Sequence, residues 1–301
     1  KNSSRDAHIT TCAALGMPNA ETSPSRKLAE EVLAPPWGAF GRSITLGLVS
    51  SFARLVLTVL NKTEIINQDR LINAIENRQH SSGVLTVCNH TSMFDDPGVL
   101  SIIMPWSWFW MDPVQHHVRW SLCAKEVCFK NELLRQFFLS GKTLPVERGK
   151  AGVHQPVVSL AAMALASGQW VHVFPEGRIN YDGKLGPLRW GCGKLVCEAR
   201  QVSGGKDPVV LPFYHSNMGS VLPLSGKGFS MGHEVEVRVG EPLKLDDLTC
   251  RCDSPNLADQ QEAWRLITER VRTALQDLER QSPPNPDQSA SAPTKGGPPP
   301  S

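Results

Sequence analysis

No Cys-x-x-Cys pair occurs among the eight cysteines, which removes the thioredoxin-type redox motif and the tightest zinc spacing. A strong excess of one charge is missing too. Thirty-one basic residues face 29 acidic ones, a formal net charge of +2, unlike the marked basic surplus of a nucleic-acid-binding domain. Any phosphate recognition must therefore come from local charge. Residues 1–35 contain neither a long apolar run nor an arginine-rich amphipathic pattern, so no intact secretory or transit peptide is expected there. Residues 1–36 read as a leader or a poorly ordered segment.

Complete nucleotide loops are absent as well. Ser140-Gly141-Lys142-Thr143 mimics the end of one, but the glycine required five positions before Gly141 is Gln136. Gly191-Cys192-Gly193 has Val196 where a dinucleotide fingerprint needs its third glycine. No cofactor is expected. The cysteines, at 12, 88, 123, 128, 192, 197, 250 and 252, read as mostly reduced thiols. A zinc site near His116-His117 is the weaker alternative, because structural zinc ligands sit at tighter spacing; no metal is expected.

What the chain does contain is enough apolar material, 41% of 301 residues, for one large core. Residues 83–88 form an apolar run that reads as a buried strand, and Asp96-Pro97 resembles an N-cap followed by a first-turn proline. Residues 157–166 read as a helix stopped at Gly168, and 170–174 as the next strand. Further strands are expected at 209–214 and, with clean alternation, at 234–239. A last helix at about 260–280 puts Trp264, Ile267, Val271, Leu275 and Leu278 on one face. Strands alternating with helices predict an α/β fold, a mixed sheet flanked by helices. Residues 282–301 are rich in Pro, Ser and Gly and read as a disordered tail.

Two segments point to a membrane. Residues 43–60 are apolar for eighteen positions with only Arg54 charged, near the lower limit for spanning a bilayer. Residues 98–111 are too short to span and bring three of the eight tryptophans, a side chain that favours the headgroup level. Together they suggest monotopic embedding, with two buried core helices as the competing reading.

The chemistry centres on His90 and Asp95. Five steps apart, they would be rotated by about 140° on one helix, but they can meet if His90 sits in a strand-to-helix turn. There Asp95 would accept the imidazole N–H and fix the tautomer of a general base. No hydrolase-type serine nucleophile is read, so the proton would come from the substrate. Taken alone, the pair reads more readily as a satisfied histidine beside a capping aspartate.

Four ordered blocks shift that balance: Asn89-His90 with Asp95, Gly141-Lys142 through Pro145-Val146-Glu147-Arg148, Phe174-Pro175-Glu176-Gly177-Arg178, and Leu211-Pro212-Phe213-Tyr214-His215. In order and spacing they resemble the glycerolipid acyltransferase family over roughly residues 37–225. Residues 60–78, 89–97 and 174–180 look most like the branch that exchanges acyl chains between phospholipids without coenzyme A. The resemblance implies a glycerolipid-acyltransferase-like fold for residues 37–281, with an N-terminal apolar membrane-associating helix. It implies His90 as the base, Asp95 as its orienter, and Asn89, Arg148, Glu176, Gly177 and Arg178 as binders of the glycerophosphate head. Phospholipid and lysophospholipid substrates, cardiolipin among them, a membrane surface and mitochondrial membranes follow from it, with no nucleic acid. Acyl-CoA-dependent transfer, N-acylation of phosphatidylethanolamine and a non-enzymatic phospholipid-binding scaffold stay open as alternatives.

Overall fold

The computed structural model describes residues 35–78, 82–111, 117–149, 152–224 and 228–288. Helix α1, Gly38–Arg54, continues through a π-helical turn, Leu55–Val59, into strand β1, Lys62–Ile66. There follow α2 (Gln68–Glu76), β2 (Val84–Val87), α3 (Asp95–Ile103), α4 (Trp106–Met111), β3 (Trp120–Ala124), α5 (Glu132–Ser140) and β4 (Thr143–Val146). The chain then forms α6 (Pro156–Ala166), β5 (Trp170–Val173), α7 (Gly191–Val202), β6 (Val209–Ser216), β7 (Glu234–Val239) and α8 (Leu257–Gln281).

The seven strands form one sheet in the order β1-β7-β6-β2-β5-β3-β4. Every pairing is parallel except β6 with β7, so the sheet is mixed, as expected. Alternation along the strands feeds two cores. Leu85 and Val87 face a cluster with Leu160, Leu165, Val196, Ile267 and Leu275, while Val84 and Cys88 face Leu57, Leu100, Ile103 and Phe213. Burial on both faces is why β2 reads as an unbroken apolar run.

Several sequence expectations change here. Asp96 stands in an extended conformation (φ −118°, ψ 116°) before Pro97, but its carboxylate pairs with Arg119 instead of capping the helix. Residues 282–288, expected to be disordered, are held by hydrogen bonds: Asn217 N–H donates to Asn285 Oδ1 at 2.7 Å, and Gln288 N–H to the Tyr181 carbonyl at 2.6 Å. Backbone and side-chain amides do the holding, which a count of apolar residues does not register. Residues 289–301, like the leader at 1–34 and Cys12, lie outside the described residues.

The reading of mostly reduced thiols is also overturned. Cys123 bonds Cys128 (Cα–Cα 6.1 Å) and Cys197 bonds Cys252 (Cα–Cα 5.0 Å), leaving Cys88, Cys192 and Cys250 free among the described residues. Cys197 lies on α7 and Cys252 in a distant 3-10 turn, so only the fold brings them together.

Helix α1 with its π turn, Gly38–Val59, is 22 residues of mean hydropathy 1.3, and 44% of its apolar window is buried in the protein. Its inner face packs on α3, α4 and α5, and Gly47 leaves room for the Trp110 ring. Its outer face exposes Phe40 (78%), Leu48 (58%), Phe52 and Val59, with Trp106 and Met111 of α4 also exposed.

Candidate active site

Because β2, β5, β3, β4 and β6 run parallel, the segments that leave their C-terminal ends gather along one edge, where α/β sheets present ligands. His90 leaves β2, Glu176 and Arg178 leave β5, Arg148 leaves β4, and His215 lies in the last turn of β6. The pair predicted from sequence meets: His90 Nδ1 is 2.9 Å from Asp95 Oδ2. The same oxygen accepts the backbone N–H groups of Thr91 at 2.7 Å and Ser92 at 2.9 Å. A carboxylate with three donors on one oxygen places the imidazole proton on Nδ1 and leaves Nε2 with its lone pair. No described residue hydrogen-bonds Nε2. The imidazole stacks on Phe174 (centroids 4.0 Å apart, 15° between planes) and remains 18% exposed. Met93, three residues along the chain, is 63% exposed.

Around the pair lies a frame of buried polar groups. Glu176 Oε1 accepts the His90 backbone N–H at 2.8 Å, and Oε2 accepts Asn180 Nδ2 at 2.6 Å and Gly186 N–H at 2.8 Å. The Asn180 N–H donates in turn to the His90 carbonyl at 2.8 Å. Burial pushes the Glu176 carboxyl up to about 7, against the N–H donors of Gly186 and His90, which favour the charged form. Asn89 clamps β2 to β6: Nδ2 donates to the His215 carbonyl at 2.9 Å and Oδ1 accepts its N–H at 3.0 Å. Both residues therefore face inward with their polar atoms engaged.

Two further histidines support the floor. His215 Nε2 donates to the Asn89 carbonyl at 3.0 Å and stands 3.5 Å from Asp95 Oδ2. Burial lowers its pKa below the usual histidine range. Trp170 Nε1 donates to Thr86 Oγ1 at 2.8 Å, and the Thr86 hydroxyl shares a hydrogen bond with His172 Nδ1, 2.9 Å away. Burial pushes His172 down to about 3, keeping it neutral and out of reach of substrate. The roles of His215 and Asn180 escaped the sequence reading, because His215 meets Asn89 and the Asn180 N–H meets the His90 carbonyl only across the fold; the nearby Asn180 and Gly186 donors to Glu176 carry no motif of their own.

The cationic residues are more dispersed. Arg178 is exposed and has no ion pair among the described residues, while Gly177 takes φ +67°, which suits glycine. Arg189 packs over Gly177, its Cδ 2.8 Å from where a Cβ would stand. Arg148 pairs with Glu126 at 3.4 Å, both largely exposed. Its strand, β4, is three places from β2 in the sheet, about 14 Å at ordinary strand spacing. Gly228-Phe229-Ser230-Met231-Gly232 spells the hydrolase elbow in letters. However, the segment precedes β7 with no helix after it, so the strand-turn-helix context is missing.

Residues 70–216 match the family model described as "Acyltransferase". Tafazzin from Drosophila melanogaster is 36% identical over 233 residues, 76% of this chain and 58% of the tafazzin. N-acylphosphatidylethanolamine synthase from Arabidopsis thaliana is 30% identical over 226 residues, covering 69% of this chain and 72% of the plant protein. The chain belongs to the acyltransferase family. It spans about 58% of the fly tafazzin's length. The crystal structure of a 1-acyl-sn-glycerophosphate acyltransferase from Thermotoga maritima shares the fold, with a TM-score of 0.50, 14% identity and 80% of each chain covered. In this acyltransferase the family match ends at Ser216, so it takes in His90, Asp95, Arg148, Glu176, Arg178 and His215.

Proposed function

We propose that this acyltransferase moves an acyl chain from a phospholipid ester to the hydroxyl of a lysophospholipid without coenzyme A, remodelling membrane phospholipids, cardiolipin among them. One observation carries the reading: Asp95 Oδ2 holds His90 Nδ1 at 2.9 Å while no described residue hydrogen-bonds Nε2 and the imidazole stays partly exposed. His90 Nε2 takes the lysolipid hydroxyl proton as the oxygen attacks the donor ester carbonyl. The imidazolium formed is stabilised by Asp95. The tetrahedral intermediate then collapses, the donor glycerol oxygen leaves, and it takes the proton back from Nε2. A base so placed contributes about 10² to 10⁴ in rate. Asn89 and Glu176 act as positioning residues, since their polar atoms are engaged with the backbone of His215 and His90. Arg178 and Arg148 hold the glycerophosphate head, guanidinium offering a planar fork to its oxygens, while the Gly177 N–H is given to the Phe174 carbonyl and shapes the turn.

The exposed apolar face of α1, with Trp106 and Met111, lies in one leaflet and sets the mouth of the site against lipid. This supports a monotopic protein; its placement in mitochondrial membranes rests on the resemblance of the sequence blocks alone. A second reading, transfer to the amine of phosphatidylethanolamine, is favoured by the plant relative's name. Purified protein is incubated with phospholipid labelled in its acyl chain and either lysophospholipid or phosphatidylethanolamine, with and without coenzyme A. Label on the lysophospholipid without coenzyme A is expected. Label moving only when coenzyme A is present, or only to the amine, overturns the proposal.

A further inference from the structure

Beyond the last helix, residues 282–288 run across the two loops that hold His90. Asn285 spans the exit of β6: its Nδ2 donates to Tyr214 Oη at 2.9 Å and toward the His215 carbonyl at 3.4 Å, while Oδ1 accepts the Asn217 N–H at 2.7 Å. Asn217 sits in the left-handed region (φ +66°), so the turn it makes after β6 is one that needs support. That His215 carbonyl is also the acceptor for Asn89. Three residues on, the Gln288 N–H donates to the Tyr181 carbonyl at 2.6 Å, next to the Asn180 that holds His90 and Glu176. Gln288 Oε1 accepts the Leu224 N–H at 3.3 Å.

Two glycines make room for this crossing. A Cβ on Gly183 would come within 2.7 Å of the Asn285 carbonyl oxygen, and one on Gly219 would overlap the Gln288 side-chain amide. Upstream, Glu279 Oε1 accepts the Leu185 N–H at 2.9 Å and lies 3.3 Å from Tyr214 Oη, so the end of α8 grips the same loop.

We infer that residues 282–288 are a positioning strap, with Asn285 and Gln288 as its fasteners, which keeps the Asn180 and His215 supports of His90 in register for acyl transfer. The inference rests on the proposed reaction for its catalytic consequence, but the strap itself is a statement about loop order. It acts through two separate routes, Asn285 to His215 and Asn89, and Gln288 to Tyr181 and Asn180. Neither fastener touches substrate, so removing them lowers turnover and leaves lipid affinity in place.

The test compares three proteins: the full chain, a chain ending at Gln281, and the full chain carrying Asn285→Ala with Gln288→Pro, which removes the backbone N–H that meets Tyr181 as well as the side chain that meets Leu224. In the labelled-lipid exchange, both altered proteins should lose about tenfold or more in kcat, the scale of a misplaced catalytic group, with KM for the lysolipid within about twofold. A synthetic peptide of residues 282–301 should restore the shortened chain, and the same peptide with both substitutions should not. Hydrogen exchange at residues 174–186 and 215–224 gives a readout independent of turnover, and it should rise in both altered proteins and fall again with the peptide. If exchange is unchanged, the strap is refuted whatever the activity. If exchange rises but turnover does not fall, the positioning role is refuted. Strap-dependent exchange in a protein that never moves label would overturn the proposed reaction and leave the strap standing.

Discussion

Asp95→Asn isolates the charge on the carboxylate with little change of shape. In the native site one buried oxygen, Oδ2, accepts three N–H donors at 2.7 to 2.9 Å. Hydrogen bonds to a charged acceptor contribute about 1.5–3 kcal/mol and neutral ones about 0.5–1.5. Three weakened bonds would thus cost about 3 kcal/mol before any offset. Removing a buried charge whose second oxygen, Oδ1, has no partner returns part of it. A net loss of about 1–2 kcal/mol in folding is expected, read from the urea midpoint. The catalytic loss should be larger. An amide cannot stabilise the imidazolium, and the corresponding change in a serine-protease triad lowers turnover by about 10⁴. A fall of about 10³ to 10⁴ in single-turnover acyl transfer is expected, or about 4–5.5 kcal/mol in the barrier. Measured well below the melting transition, the two losses separate. A folded variant within tenfold of the native rate would show that Asp95 only caps the His90 loop, and the base mechanism would fall with it.

Other outcomes follow from the same geometry. Glu176 has a folded pKa near 7 against an ordinary 4.5, so the folded state binds the extra proton between those values. Its contribution to stability is present below about pH 4.5 and is lost as pH rises to about 7, on the order of 3 kcal/mol. Urea midpoints of the native chain and Glu176→Gln, compared at pH 5 and pH 8, should shift in the variant's favour at the higher pH. Buried His172 and His215 are common to both chains and cancel. A pH-independent difference would mean that the three N–H donors govern the carboxyl. For the membrane face, Phe40→Asp with Leu48→Asp changes two side chains that are mostly exposed. Stability should move by no more than about 1 kcal/mol, while sedimentation with phospholipid vesicles drops by at least tenfold. Undiminished vesicle binding would remove α1 from the membrane contact.

Much of the frame was legible because its signals are local. Residues 234–239 alternate in sequence and are buried in alternation as β7, and residues 83–88 end where β2 hands the chain to His90. The His90–Asp95 pair was legible because both partners sit in one turn. Strands β1, β3 and β4 went unread for physical reasons. Edge strand β1 is half-exposed and polar, and β4 is a short edge strand containing Pro145, which only an edge tolerates. The inward direction of Asn89 and Glu176 was not legible, since a polar residue beside a catalytic one looks the same in sequence whether it meets substrate or backbone. His215 meets Asp95 across the sheet, and residues 282–288 are held by amides, so neither left a periodic or compositional trace.

The central claim is that one imidazole nitrogen carries the proton between two lipids. His90→Ala removes it while leaving Asp95, the apolar face and the strap untouched. In the labelled-lipid exchange without coenzyme A, the variant should bind vesicles like the native protein and transfer acyl chains at least about 10³-fold more slowly. Transfer at a near-native rate by a folded His90→Ala protein would contradict the account.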